Sequence, residues 1–206
     1  ADLARRDFTI NAMALDLVAG ELIDLHHGQE DLSSGQIRFL HAGSVQDDPT
    51  RVIRAARYAA RLGFELAKES REQIRSTIKK WPWAWGQGDE ALAAPPALAT
   101  RLRMELERLL DREPWPQALD LLEQWQALPL LDAQLQRDPG RTQRLHWARR
   151  LGLPLMPALL AGDHRHRALD VRHVLLGEVL HQAPDHARLA HRSIMARPTA
   201  PLEFAT

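Results

Sequence analysis

Apolar residues along the first forty positions follow no single period, whereas from Asp48 onward they recur every three to four residues. Met13, Leu15 and Leu17 alternate with small or polar residues, Ala19-Gly20 is a turn signal, and a second apolar piece begins at Leu22. This pattern predicts a small hairpin, with residues 37–40 after Gly35 as one further strand. Three short strands are a marginal sheet by themselves, so they read as part of a larger one.

Asp48-Pro49 is a helix start, Asp as N-cap and Pro at the first helical position, and Leu62-Gly63-Phe64 is a stop with Gly in a left-handed cap. About four turns lie between. A second helix is predicted over residues 69–80, with Ile74 and Ile78 on one face. The proline- and tryptophan-rich stretch from Trp81 to Pro96 then breaks the pattern. Leu102, Leu106, Leu109 and Leu110, and after Pro116 Ala118, Leu122 and Trp125, mark two core-facing stripes. Helical pieces are expected over 140–151 and 154–161. Beyond Gly162 the period fades and six histidines, His164, His166, His173, His181, His186 and His191, crowd together. His164-x-His166 lacks a third ligand at convincing spacing, which favours a solvated polar surface or a poorly ordered tail over a metal site.

With 206 residues, 45% of them hydrophobic and 26% charged, the chain can bury a sizeable core. No apolar run reaches the roughly 18 residues of a membrane span. The charged N-terminal residues are not those of a signal peptide, so a cytoplasmic, membrane-free protein is expected. The absence of cysteine excludes disulfides, zinc–thiolate sites and a cysteine nucleophile. Twenty-seven basic residues balance 27 acidic ones, so any polyanion site must be local. Lys68, Lys79 and Lys80 are the only lysines, leaving 24 arginines, whose planar fork suits phosphate and base edges. A GC-rich genome gives the same bias. The chain begins without methionine and in the middle of a dense motif, as a fragment would.

Two constellations could carry chemistry. In Arg5-Arg6-Asp7-Phe8-Thr9-Ile10-Asn11, paired guanidinium forks precede a carboxylate and an amide able to bond a ribose hydroxyl, a possible nucleotide cradle. The plain alternative is that Asp7 caps a short helix and the arginines are solvated. In the second, over residues 47–61, helical spacing puts Arg51, Arg54, Tyr58 and Arg61 on one side and Val52, Ile53, Ala56, Ala59 and Ala60 on the other. Asp48 and Arg51, three apart, could form an acceptor–donor edge for a planar base. Equally, Asp48 could be a cap and the arginines a solvated face. Trp81, Trp83 and Trp85 could stack on bases, although their setting among prolines favours packing.

Residues 2–14 closely resemble a motif of the class II tRNA nucleotidyltransferases (CCA-adding enzymes) and bacterial poly(A) polymerases. Gly20-Glu21-Leu22-Ile23-Asp24, Asp31-Leu32, Gly35-x-Ile37-Arg38 and the run from Asp48-Pro49-x-Arg51 to Leu62-Gly63-Phe64 follow in that family's order. Thr100-Arg101-Leu102-x-x-Glu105-Leu106 looks like its next helix, and the likeness loosens after about residue 130.

The resemblance implies a mainly α fold. Residues 1–42 would be the α+β remnant of a nucleotidyltransferase head, 43–130 a helical neck that reads nucleotide and holds RNA, and 131–206 a helical body and tail. Arg5, Arg6 and Asp7, with Asn11 in the same motif, would meet ribose and triphosphate, Asp48 and Arg51 the base, and Arg54 and Arg57 further parts of the nucleotide. Asp47 stands where the family usually has Glu. The substrates would be ATP and CTP and the partner a tRNA 3′ end. The Gly-rich loop and the Asp-x-Asp pair that hold Mg2+ would lie upstream of Ala1, leaving this chain inert by itself. A poly(A) polymerase of the same family, or a non-catalytic helical RNA-binding module, would carry the same pattern.

Overall fold

The computed structural model describes residues 2–81, 95–132 and 135–160. Its N-terminal part is mixed. Single 3-10 turns at Leu3–Arg5 and Thr9–Asn11 lead into the expected antiparallel hairpin, β1 (Met13–Leu15) with β2 (Leu22–Asp24). The Asp16 carboxylate accepts the Val18 and Ala19 N–H groups (2.8 and 3.1 Å), and Gly20 at φ +71° closes the turn. Asp24 accepts the Gly28 and Gln29 N–H groups (2.8 and 2.9 Å), which starts the short helix α1 (Gly28–Ser33). Position 28 tolerates no side chain: a Cβ there would lie 2.3 Å from the Thr9 carbonyl oxygen.

Residues 37–40 do not extend the hairpin. Instead β3 (Gln36–Ile37) pairs in parallel with β4 (Glu65–Leu66), and Phe39 forms a separate bridge with Phe8. The cause is the reversal at Gly63, φ +68°, which returns the chain beside Gly35, where the Glu65 and Ala67 N–H groups donate to Gly35 O (2.8 Å) and Ile37 O (3.0 Å). Strand β4, helix α1 and a further short helix α2 (Ser44–Asp47) were not foreseen from the pattern.

The rest is helical: α3 (Thr50–Leu62), α4 (Lys68–Lys79), α5 (Pro96–Arg112), α6 (Trp115–Gln124), α7 (Arg141–Arg150) and α8 (Leu155–Leu160). Helix α3 packs against both α5 and α6, turning inward Val52, Ile53, Ala55, Ala56 and Ala59, all buried. Three alanines on that face let its neighbours approach closely, while Ala60, placed on the face by spacing alone, is half-buried. Opposite lie Leu102, Leu106, Leu109 and Leu110 of α5 and Ala118, Leu119 and Leu122 of α6. Each fully buried leucine contributes about 1.5–3 kcal/mol. One apolar cluster runs from Phe8 to Leu160, with Trp81 packed on it. Trp83, Trp85 and the histidines from His164 onward lie outside the described residues. In contrast to the helical core, the hairpin leaves Leu15, Leu17, Val18 and Leu25 exposed.

Candidate functional site

The two constellations meet at Asp7. Its carboxylate is buried and accepts from Arg51 Nε at 3.2 Å through one oxygen, while the other lies 2.5 Å from Arg54 Nη2. Arg51 Nη1 donates to the Ser44 carbonyl (3.0 Å), so this guanidinium is fixed from two sides. The segment carrying Asp7 is itself held in place, because Leu40 N–H donates to Asp7 O and Thr9 N–H to Arg38 O (3.2 and 3.1 Å). Behind it the Phe8 ring stacks on Phe39 and meets Tyr58 edge-on, centroids 5.7 and 5.5 Å apart. Tyr58 therefore wedges α3 against this segment instead of lining a polar face.

Arg5 and Arg6 are exposed, Arg6 Nη2 resting 2.7 Å from Asp2. Such a surface pair contributes at most about 1 kcal/mol, so its arms are available to an incoming anion. Asn11 turns to its own backbone, where its Oδ1 accepts the Phe8 N–H at 3.1 Å. Asp7 does not cap a helix; it joins two elements.

Asp48 does cap. Its Oδ1 accepts both the Thr50 N–H (3.1 Å) and the Thr50 hydroxyl (2.7 Å) at the start of α3. Its Oδ2 accepts from Arg101 Nη1 of α5 at 3.0 Å. Asp48 and Arg51 adjoin through the backbone, Arg51 N–H donating to Asp48 O (3.1 Å), yet their side chains serve different partners. The two side chains do not form the side-by-side edge anticipated from their spacing. Asp47 is exposed, 3.9 Å from the His41 ring.

The arginines of α3 thus divide between two carboxylate centres. Arg57 is not brought to Asp7: its Nε and Nη2 donate to Glu113 (3.2 and 3.0 Å), and its Nη1 to Glu105. Arg61 Nε donates to the other Glu113 oxygen at 2.9 Å, and its Nη2 also reaches Glu113. Burial pushes the Glu113 carboxyl up, but hydrogen bonds and charge from Arg61 and Arg57 outweigh it and hold the group below the usual carboxylate range. A third centre, Asp31, accepts the Thr9 hydroxyl (2.6 Å) and Arg38 Nε (3.0 Å), while Arg38 also reaches Glu69 (2.5 Å). These bonds tie the first motif to α1 and α4.

Spacing alone missed Ser44, Arg101, Glu105 and Glu113 as members of this assembly. Glu105 had a readable signal: it interrupts the leucine stripe of α5 between Leu102 and Leu106, and a carboxylate on a core-facing stripe demands a cation from a neighbouring element. Glu113, in the α5–α6 turn, had none.

Comparison with known proteins bears on this arrangement. Residues 1–38 match the family model described as the poly A polymerase head domain. The multifunctional CCA protein of Leptothrix cholodnii is 35% identical over 198 residues, 94% of this chain and 44% of the relative. The A-adding tRNA nucleotidyltransferase of Halalkalibacterium halodurans is 47% identical over 72 residues, 34% of this chain and 17% of the relative. A solved structure of a tRNA-processing enzyme with CTP superposes with TM-score 0.66 at 28% identity, covering 95% of this chain and 54% of that one. A tRNA nucleotidyltransferase complexed with a primer tRNA and an incoming ATP analog does so with TM-score 0.60 at 27% identity, covering 94% and 57%. In sequence and in fold the chain is thus similar to CCA-adding proteins and tRNA nucleotidyltransferases. The chain spans little more than half the length of these family members, or less. The described residues form an α+β N-terminal part followed by helices, and among them no helix is long and apolar enough to cross a membrane.

Proposed function

We propose that this chain is the nucleotide-reading and RNA-holding part of a template-independent RNA nucleotidyltransferase that adds CMP and AMP to tRNA 3′ ends. The observation that carries the proposal is the joint at Asp7, which ties the Arg5-Arg6 segment to Arg51, 44 residues on, and to Arg54 in the next turn of α3. In this reading Arg5 and Arg6 grip phosphate and ribose, which every nucleotide shares. Asp7 keeps Arg51 and Arg54 oriented, and Asn11 fixes the turn that carries the motif. Asp48 and Arg51, each held by its own partners, meet the base separately, the carboxylate as an acceptor and the guanidinium as a donor, and Arg57 fixes α3 against Glu105 and Glu113. The relatives' names, and the CTP, primer tRNA and ATP analog named for the solved structures, support ATP and CTP as substrates and tRNA as partner. A cytoplasmic setting accords with that work.

Transfer of a nucleotidyl group by two Mg2+ ions needs clustered carboxylates. This sequence contains no Asp-x-Asp pair, and among the described residues no three His, Cys, Asp or Glu side chains gather as a metal site. The described residues do not fit the ions. We therefore assign Mg2+ binding and the chemical step to a part of the enzyme outside this sequence, residues 1–42 being the end of its head, 43–130 the neck and 131–206 the body. The head match also carries the name of poly(A) polymerase, and that second reading differs in accepting AMP alone.

Equilibrium binding of the four nucleoside triphosphates separates the roles. Arg6→Ala should weaken all four alike, by roughly ten- to a hundredfold for one charged contact. Asp48→Asn should keep the cap, because Asn caps about as well as Asp, yet change the order of preference by putting a donor nitrogen where an acceptor oxygen stood. A changed preference in Arg6→Ala, or an unchanged one in Asp48→Asn, would contradict the assignment.

A further inference from the structure

We propose that Arg101 is a positioning residue for base recognition: it holds Asp48 Oδ2 so that this oxygen's remaining lone pair is the acceptor offered to the base. The inference rests on the reading in which Asp48 meets the base, and extends it to a residue on another helix. A carboxylate oxygen has two lone-pair directions. Both of those on Oδ1 are taken by the Thr50 N–H and hydroxyl, and one on Oδ2 by Arg101 Nη1, which leaves a single free direction on Asp48. The carboxylate is pinned at both ends, by the first turn of α3 and by α5, and cannot pivot without breaking one of these contacts.

That geometry sorts bases. Cytosine N4 and adenine N6 carry donors, whereas guanine O6 is an acceptor, as is the corresponding uracil oxygen by analogy with thymine O4. A lone acceptor held in one orientation bonds the first two and repels the others. A carboxylate released from Arg101 keeps the Thr50 bonds but swings Oδ2, so the amino group loses its aligned partner while the phosphate grip is untouched. Arg101 is about half exposed, with Asp48 at 24%, so their pair contributes little to folding. The guanidinium also lines a cleft of about 320 Å³ with Asp47, Thr77 and Lys80, so truncating it widens an open cleft and leaves no void in the core. Its contact is through one nitrogen, which a lysine ammonium can replace.

The test is equilibrium binding of CTP, ATP, UTP and GTP to the 206-residue chain, together with its thermal melt, for the parent, Arg101→Ala, Arg101→Lys and Asp48→Asn. We expect Arg101→Ala to melt with the parent, to lose about three- to tenfold of the preference for CTP and ATP over UTP and GTP, and to regain most of it as Arg101→Lys. If Arg101→Ala keeps the parent's preference while Asp48→Asn loses it, Arg101 has no part in recognition and the proposal is overturned. It is overturned too if Arg101→Ala weakens all four alike with a lowered melt, the mark of a purely structural role. A parent that binds all four equally, or an Asp48→Asn variant with the parent's preference, removes the underlying reading and this one with it.

Discussion

Replacing Glu113 by alanine should lower the stability of the chain by about 3–5 kcal/mol, the usual cost of removing one partner from a buried ion pair. The Glu113 side chain is 1% exposed and receives bonds from both Arg57 and Arg61, with Arg57 itself 14% exposed. The truncated variant leaves two guanidiniums facing each other at the α3–α5 contact, with Glu105 as the remaining carboxylate. Chemical denaturation of parent and variant measures the loss, and a difference below about 0.5 kcal/mol would place the pair among ordinary surface contacts. The same carboxylate predicts a pH dependence. In the folded chain Glu113 titrates below its ordinary 4.5, so the unfolded chain binds its proton first as the solution is acidified. The stabilisation is complete above about pH 5 and is lost as pH falls through the lowered folded-state value. Asp138, held low by its hydrogen bonds from Arg144, loses its contribution in the same direction. Glu113→Gln isolates the first effect: its stability below pH 5 should fall less steeply than the parent's.

Asp7→Ala should cost about 2–4 kcal/mol, less than Glu113 because the Asp7 side chain is 11% exposed against 1% for Glu113. Arg51, at 12% exposure, keeps only the Ser44 carbonyl. Asp7→Asn retains the shape and one acceptor oxygen and should lose roughly half as much, about 1–2 kcal/mol. A double-mutant cycle with Arg54→Ala measures the coupling directly; a coupling near zero would mean that Asp7 does not join the two motifs.

The contrast between Asp7 and Asp48 shows what a sequence can reveal. The ends of α3 were readable because Asp48-Pro49 and Gly63 act on the backbone within two residues of themselves. The leucine stripes of α5 and α6 were readable because burial repeats with the helical period. The partner of Arg51 was not. Spacing nominated Asp48, three residues away, but both oxygens of Asp48 are engaged by Thr50 and Arg101, and Arg51 turns to Asp7 instead. The pairing of β3 with β4 was equally hidden, since two-residue strands have no period and their register follows from the reversal at Gly63. Arg57 was joined to Arg54 by the family resemblance alone, since helical spacing leaves it off the stripe of Arg51, Arg54 and Arg61. Its separate fate is decided by Glu105 and Glu113 on elements packed from the far side.

Under the proposed function this chain reads the base for a nucleotidyl transfer completed elsewhere in the enzyme. The direct measurement joins the chain in frame to a head segment carrying a Gly-rich loop and an Asp-x-Asp pair. It then follows incorporation of each of the four labelled nucleotides onto tRNA lacking its CCA end, with and without Mg2+. The joined protein should add CMP and AMP in a Mg2+-dependent way, its Asp48→Asn form should lose that selectivity, and the 206-residue chain alone should add nothing. Incorporation by the chain alone, or a joined protein that adds UMP and GMP as readily as CMP and AMP, would contradict the proposed function.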